Sequence, residues 1–414
     1  MRKKIELSRD KSIVFMGTMN AMPMMYAMEL RKLGYEVIYF VDVSQKEKLS
    51  RPENHFPGIS YPYPSWIVET ILPSQLLLTL FPRLFSIFFQ RKIKKVASKE
   101  VGCFFLNGFF SSLAAFLKKG SSKVILSHGS DLDVWAYKNG AKSLASSFAK
   151  RSFFRYLPMG ISGFLIRKII DNQYTGMAHS DAVFYFPQGF NAAGDEVITN
   201  LSKAGVNYIP RYDISFEPLL QQSREYKSQS GAMEIFSGVR FTFKTFPDGN
   251  AGYGKGNDVI IEGIAKFHKI YKNIRVNFVD KGEDVELAKE MCHMHGLDEV
   301  VNWHKEMSFK ELLGLYMSSD ICFDQVGAHW VGAIGGYALW LGKPLIANPE
   351  AAIKHGIWPE NNPICSAKSS DEICNWLIRL QDEVFRKKVS DESKDFVEKN
   401  MGPVSAIERT FDFI

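Results

Sequence analysis

Residues 323–347, FDQVGAHWVGAIGGYALWLGKPLIA, constrain this chain more than any other stretch of its sequence. They read as an apolar strand, a glycine-rich turn, a short helix and a second strand opened by Gly342-Lys343-Pro344, an order that fits a parallel βαβ unit. A glycine turn feeding a helix N-terminus gathers backbone N–H groups at the positive end of the helix dipole, where phosphate prefers to sit. The segment is therefore expected to hold an anion. The plainer alternative is that its glycines only let helix and strand pack closely.

At 414 residues and 46% apolar content, the chain exceeds what one hydrophobic core usually holds, so two domains are expected. Cys103, Cys292, Cys322, Cys365 and Cys374 are odd in number, scattered and never arranged as CxxC. That argues against a disulfide framework or zinc ribbon and for a reducing compartment. The opening MRKKIELSRDKSIVFMG runs from basic residues into a regular α/β pattern, without the small-residue cleavage site of a signal peptide. A net charge of +6, with basic and acidic residues mostly mixed, does not call for nucleic acid. Residues 66–96 stand apart: an apolar and aromatic run, broken by Glu69, Pro73, Pro82 and Arg83, closes with Arg91, Lys92, Lys94 and Lys95. Those breaks make a poor transmembrane helix, whereas aromatic and aliphatic residues beside a basic cluster suit the headgroup region of an anionic leaflet. The alternative is a pair of core helices with a solvated basic end.

A strand at 12–16, a turn Gly17-Thr18-Met19-Asn20, a helical pattern at 22–33 stopped by Gly34, and a strand at 36–41 form the opening βαβ of a doubly wound sheet. Further strands are expected at 102–106, 123–127, 182–186 and 207–209. A second alternation has strands at 234–237, 275–279, 300–303 and 321–323 and helices at 258–271, 284–295 and 309–317. The organisation expected is an N-terminal Rossmann-like domain over 1–212, a polar linker over 213–233, a C-terminal Rossmann-like domain over 234–395, and a C-terminal helix over 396–414 packing back on the first domain. Two such domains facing each other leave a cleft at the C-terminal ends of both sheets, where open α/β folds bind ligands.

The ordered set Arg240, Lys255-Gly256-Asn257-Asp258, Ser319-Asp320-Ile321, Asp324-Gln325 and Gly342-Lys343-Pro344-Leu345-Ile346 resembles the donor-binding domain of GT-B glycosyltransferases, specifically the retaining GT4-like group. The resemblance covers most of the second half of the chain. It implies an α/β chain of GT-B architecture, two doubly wound domains facing across a cleft. It also implies catalytic roles for Arg240 and Lys255 on the diphosphate of a nucleotide-sugar as its bond to the sugar breaks. Fixed cations beside a leaving group that gains negative charge lower the barrier without a metal. Backbone contacts to the donor are implied for Gly332, Ala333 and Ile334, and in the first turn for Gly17. The group typically carries two glutamates eight positions apart. Aligned on Gly332 and Gly342-Lys343-Pro344, this chain has His329 and Tyr337 at those donor positions. A carboxylate accepts two hydrogen bonds from a ribose diol, whereas a phenol offers one oxygen, so nucleotide binding is expected to be rebuilt with other groups or weakened.

In the first half, Ser127-His128-Gly129-Ser130-Asp131 resembles the turn whose histidine contacts the donor sugar. His128 is assigned to that role and Asp131 to the acceptor side, with helix capping as its alternative. Cys292-His293-Met294-His295 is read as structural, because consecutive helical positions point in different directions. No metal and no cofactor are expected, the nucleotide-sugar being a co-substrate. The function expected is retaining, metal-independent transfer of a sugar from a nucleotide-sugar to a glycan or glycolipid acceptor, in cell-surface polysaccharide or lipopolysaccharide synthesis. The protein is expected to be cytoplasmic and peripheral on the inner face of the membrane, held to anionic lipid by Arg91, Lys92, Lys94 and Lys95. The alternatives are a glycosyltransferase-like binding or scaffolding protein that has lost turnover, and a nucleotide-sugar epimerase.

Overall fold

The computed structural model describes residues 5–19, 22–47, 50–56, 58–148, 153–189, 191–210, 231–246, 254–327, 331–354, 358–401 and 411–413. The chain divides into two compact units, Met1–Arg211 with Ala406–Ile414, and Tyr212–Ser405.

The first unit runs β1 (Ile5–Leu7), β2 (Ser12–Met16), α1 (Pro23–Lys32), β3 (Glu36–Val41), β4 (Ile67–Glu69), α2 (Gln75–Leu80), α3 (Pro82–Val96), β5 (Val101–Asn107), β6 (Ser122–Leu126), α4 (Ser130–Asp133), α5 (Ala141–Phe148), α6 (Met159–Ala178), β7 (Ala182–Tyr185), α7 (Ala192–Lys203) and β8 (Asn207–Pro210). Seven of these strands form one parallel sheet in the order β4-β3-β2-β5-β6-β7-β8. Strand β2 is buried at every position. Ile13 and Phe15 enter the core on one face of the sheet, while Val14 and Met16 enter the core on the other. A sheet covered on both faces requires such continuous apolar runs.

The second unit runs β9 (Met233–Ser237), α8 (Asn257–Ile270), β10 (Ile274–Val279), α9 (Val285–Met294), β11 (Val301–His304), α10 (Phe309–Ser318), β12 (Ile321–Phe323), α11 (Ala333–Trp340), β13 (Leu345–Ala347), α12 (Glu350–Lys354), β14 (Cys365–Ser366), α13 (Ser370–Arg379) and α14 (Glu383–Asn400). Its parallel sheet has the order β11-β10-β9-β12-β13-β14, and Ile235 and Phe236 again feed opposite faces.

The ending differs from expectation. Helix α14 stops at Asn400, residues 402–410 lie outside the described residues, and Phe411–Phe413 form a strand, β15, parallel to β1 with Ile5 opposite Phe411 and Leu7 opposite Phe413. The triplet Phe-Asp-Phe has the two-residue period of a strand. Phe411 is buried against the rings of Phe105 and Phe184, at 5.5 and 6.5 Å between centroids. The linker expected over 213–233 falls mostly in residues 211–230, outside the described residues, as does the glycine-rich stretch 247–253.

Candidate functional site

In a doubly wound sheet, ligands bind beyond the C-terminal strand ends where the strand order reverses. In the second unit that point lies between β9 and β12. Strand β9 leads into Gly238, Val239 and Arg240, and β12 leads into Asp324 and Gln325. Lys255 reaches this edge from the turn before α8: its Nζ donates to Gln325 Oε1 at 2.7 Å, and its backbone carbonyl accepts from Val326 N at 3.1 Å. Gly256 makes that approach possible. Its φ is +73°, and a Cβ there would lie 2.7 Å from Val326 Cγ2 and 2.9 Å from Gly327 N, so a side chain would be strained as well as crowded. Burial pulls the Lys255 ammonium below its usual pKa; Asp324 opposes that shift and the nearby Arg240 adds to it. Arg240 itself is exposed and carries no ion pair among the described residues. The loop behind it is pinned by Asp284, whose carboxylate accepts from the backbone N–H groups of Phe243, Lys244 and Thr245 at 2.7 to 3.1 Å.

Asp324 changes the reading of the glycine turn. Its Oδ1 accepts from Gln325 N at 2.7 Å, and its Oδ2 accepts from Gly332 N and, at 3.1 Å, from Gly335 N. The expectation that the Gly332 amide is open to phosphate is therefore corrected: a fully buried carboxylate already occupies it. Ala333 is exposed and Ile334 half-buried at the first positions of α11, and their N–H groups, like all first-turn amides, have no partner inside the helix. Burial raises the Asp324 carboxyl above its usual range, in spite of the amides and Lys255. Sequence reasoning quoted Asp324 and Gln325 within a motif without giving them a role.

Tyr337, on α11, is half-buried, its ring 5.1 Å from Phe309 and 6.1 Å from Tyr316, while Tyr316 Oη donates to Ile334 O at 2.9 Å. Its ring is thus packed in an aromatic cluster beneath the turn. His329 lies outside the described residues. Lys343 is structural: buried, its Nζ donates to Met317 O and Ser319 O at 2.9 and 2.8 Å, closing the C-terminus of α10.

The first unit has its reversal between β2 and β5. Gly17 follows β2 with φ +95°, and a Cβ there would meet Asn107 O at 2.5 Å. Thr18 Oγ1 donates to buried Asp42 at 2.9 Å, and Met19 N to Asn107 Oδ1 at 3.0 Å. After β6, buried Asp131 organises the turn by accepting from Ser127 Oγ at 2.7 Å, His128 N at 2.9 Å and Gly129 N at 3.1 Å. His128 is half-buried on this turn. Two residues on, Asp133 Oδ2 accepts from Tyr185 Oη at 2.9 Å and Asn191 Nδ2 at 3.2 Å, and burial pushes its carboxyl up to about 6. Sequence reasoning passed over Asp133, although the doublet Asp131-Leu132-Asp133 was a visible signal. Of the basic residues assigned to a membrane, Arg91, Lys94 and Lys95 are exposed on α3, whereas Lys92 is half-buried with Nζ 3.2 Å from Thr70 Oγ1. Among the described residues no helix is long and apolar enough to cross a membrane.

No protein-family model and no curated protein matches the chain. Solved structures do. The chain is similar to sucrose-phosphate synthase from Thermosynechococcus elongatus, at 12% identity over 97% of each chain with a TM-score of 0.57. It is similar to a glycosyltransferase from Rickettsia africae ESF-5, at 15% identity over 97% of this chain and 96% of that one with a TM-score of 0.56. The chain has the GT-B fold. A third GT-B likeness is to Anabaena HepE in complex with UDP and glucose, at 11% identity over 96% of this chain and 98% of that one with a TM-score of 0.53. At such identities the likeness is one of architecture, and activity in a GT-B chain rests on its own residues.

Proposed function

We propose that the protein is a glycosyltransferase that takes its donor, a nucleotide-sugar, at the strand reversal of the second unit. The observation that carries this reading is the pairing of a half-buried Lys255 with an exposed Arg240 at that edge. A diphosphate leaving group gains negative charge as the glycosidic bond breaks, and two fixed cations already close together take up that charge with little reorganisation. Lys255, depressed by burial and by Arg240, becomes easier to keep charged once an anion arrives. Ala333 and Ile334 add first-turn amides, while Asp324 keeps α11 capped and Gln325 keeps Lys255 aimed. The structure of HepE with UDP and glucose supports the same class of donor.

In this reading His128 and Gly17 belong to the sugar and Asp131 holds the turn that meets a glycan or glycolipid acceptor. Transfer proceeds with retention and without a metal, in cell-surface polysaccharide or lipopolysaccharide synthesis. The protein works on the cytoplasmic side, at the inner face of the membrane. Calorimetric titration with UDP, GDP and their sugars, followed by NMR of the product's anomeric centre, tests it; absence of binding to all of them overturns it. The packing of Tyr337 between Phe309 and Tyr316 favours a second reading, a binding protein that has lost turnover. That reading requires the biological function to survive Arg240→Ala and Lys255→Ala. Appearance of a 2-epimerised sugar without acceptor would instead identify an epimerase.

A further inference from the structure

Exposed apolar surface and positive charge are concentrated in the same part of the chain. Of the twenty large hydrophobic side chains exposed among the described residues, thirteen lie from Ile71 to Phe164. Residues 71–170 carry sixteen Lys or Arg against three Asp or Glu, while the rest of the chain carries 35 against 42.

Helix α3 shows how the two coincide. Its inner side places Pro82, Ser86, Phe89 and Ile93 in the core, the spacing a packed helix requires. Its outer side does not turn polar: Leu84 is 66% exposed, Ile87 44% and Phe88 41%. Only its second half changes, to exposed Arg91, Lys94 and Lys95. Helix α6 repeats the order, with Met159, Ile161 and Phe164 exposed in its first two turns and Lys168 one turn later. Between the two helices lies an open groove of about 450 Å³ lined by Phe81, Leu84, Ile87 and Phe116, with Arg83 and Lys168 on its wall. Lys168 Nζ is 5.7 Å from the centre of the Phe81 ring.

An apolar patch of this extent, rimmed by charge, marks an interaction surface. The core of a protein interface is depleted of lysine, and Arg83 and Lys168 at the groove with exposed Arg91, Lys94 and Lys95 on α3 suit an anionic partner. A leaflet containing anionic lipid supplies both a hydrocarbon depth and negative headgroups. We infer that this face of the first unit inserts shallowly into an anionic leaflet, the groove taking the hydrocarbon chain of one lipid while Arg83 and Lys168 meet its phosphate. The inference deepens the membrane side of the proposed function. It moves the contact from the basic end of α3 to the apolar ends of α3 and α6. The second half of α6 also reaches the His128 turn, since Gln173 Nε2 donates to Asp131 O at 3.2 Å.

Sedimentation of the full chain with phosphatidylglycerol–phosphatidylcholine vesicles, against phosphatidylcholine alone, tests it. Binding to the anionic vesicles is expected, with most of the protein still bound at about 0.5 M salt, where surface ion pairs are screened. The double variant Ile87→Asp/Phe164→Asp should lower the bound-to-free ratio at least about tenfold, more than Arg91→Gln/Lys94→Gln/Lys95→Gln does. Both sites are exposed, so the melting temperature should not move. Val384→Asp, at a site 80% exposed in the second unit, should bind as the wild type does. Salt-reversible binding lost in the triple variant and kept in the double one overturns insertion in favour of simple adsorption. Absence of binding to either vesicle also overturns it. So does a wild-type dimer in lipid-free buffer that the double variant dissociates, because the face would then belong to a second copy. Donor titration on the same preparations separates the two claims: vesicle binding without nucleotide-sugar binding ends the transfer reading and sustains this one.

Discussion

Burial lowers the pKa of Lys255 and raises that of Asp133, and each residue carries a prediction. Lys255→Met keeps the volume and removes the charge. Nucleotide-sugar affinity should then fall about 10- to 100-fold by calorimetry, the worth of a charge-assisted hydrogen bond. The melting temperature should hold or rise, because a partly desolvated ammonium has been removed. For Asp133 the folded-state pKa of about 6 lies above the ordinary value of 3.8, so the folded protein binds the proton more tightly than the unfolded chain. The stability this contributes is complete below about pH 4 and is lost as the pH rises through about 6. Asp133→Asn should therefore flatten the fall in stability between those limits by roughly 2 kcal/mol, measured by denaturant unfolding at a series of pH values. The places of Arg240 after β9 and Lys255 before α8 were readable because strand and helix periods are local to the string. Asp133 was not, because its environment is made by Tyr185 and Asn191, more than fifty residues away.

Helix α11 depends on a cap that comes from outside the helix. Asp324 sits at the end of β12 and reaches Gly332 and Gly335, so strand end, turn and helix start are closed by one carboxylate. Asp324→Ala leaves two or three buried N–H groups without an acceptor and should cost about 2 to 4 kcal/mol. Denaturant unfolding should show it, with Asp324→Asn falling between the variant and wild type. The strand–turn–helix–strand order of residues 323–347 was legible from its own periodicity, and β12, α11 and β13 follow it. Who occupies the helix N-terminus was not legible, since caps are sought at the first helical positions and Asp324 lies eight residues before Gly332. The same limit explains the C-terminal error. The helical pattern of α14 ran on into a tail too short for its strand period to outweigh it, and only the partner β1 makes Phe411–Phe413 a strand.

At the scale of the molecule, the first unit is assembled from both ends of the chain. Phe411 fills part of its core beside Phe105 and Phe184, so Phe411→Ala should cost about 3 to 5 kcal/mol. Removing residues 411–414 should raise amide exchange in β2, β5 and β7 and leave β9, β10 and β12 as they were, by peptide-resolved hydrogen exchange. Exchange rising equally in both sheets would contradict that division. The pairing of β1 with β15 also makes the second unit a guest inserted into a host. Every strand of the seven-stranded sheet, and the pair that seals it, lies in Met1–Arg211 and Ala406–Ile414. A host rejoined across that gap by a short spacer keeps every strand of its sheet, so the second unit is a cassette that can be exchanged while the first keeps its own core.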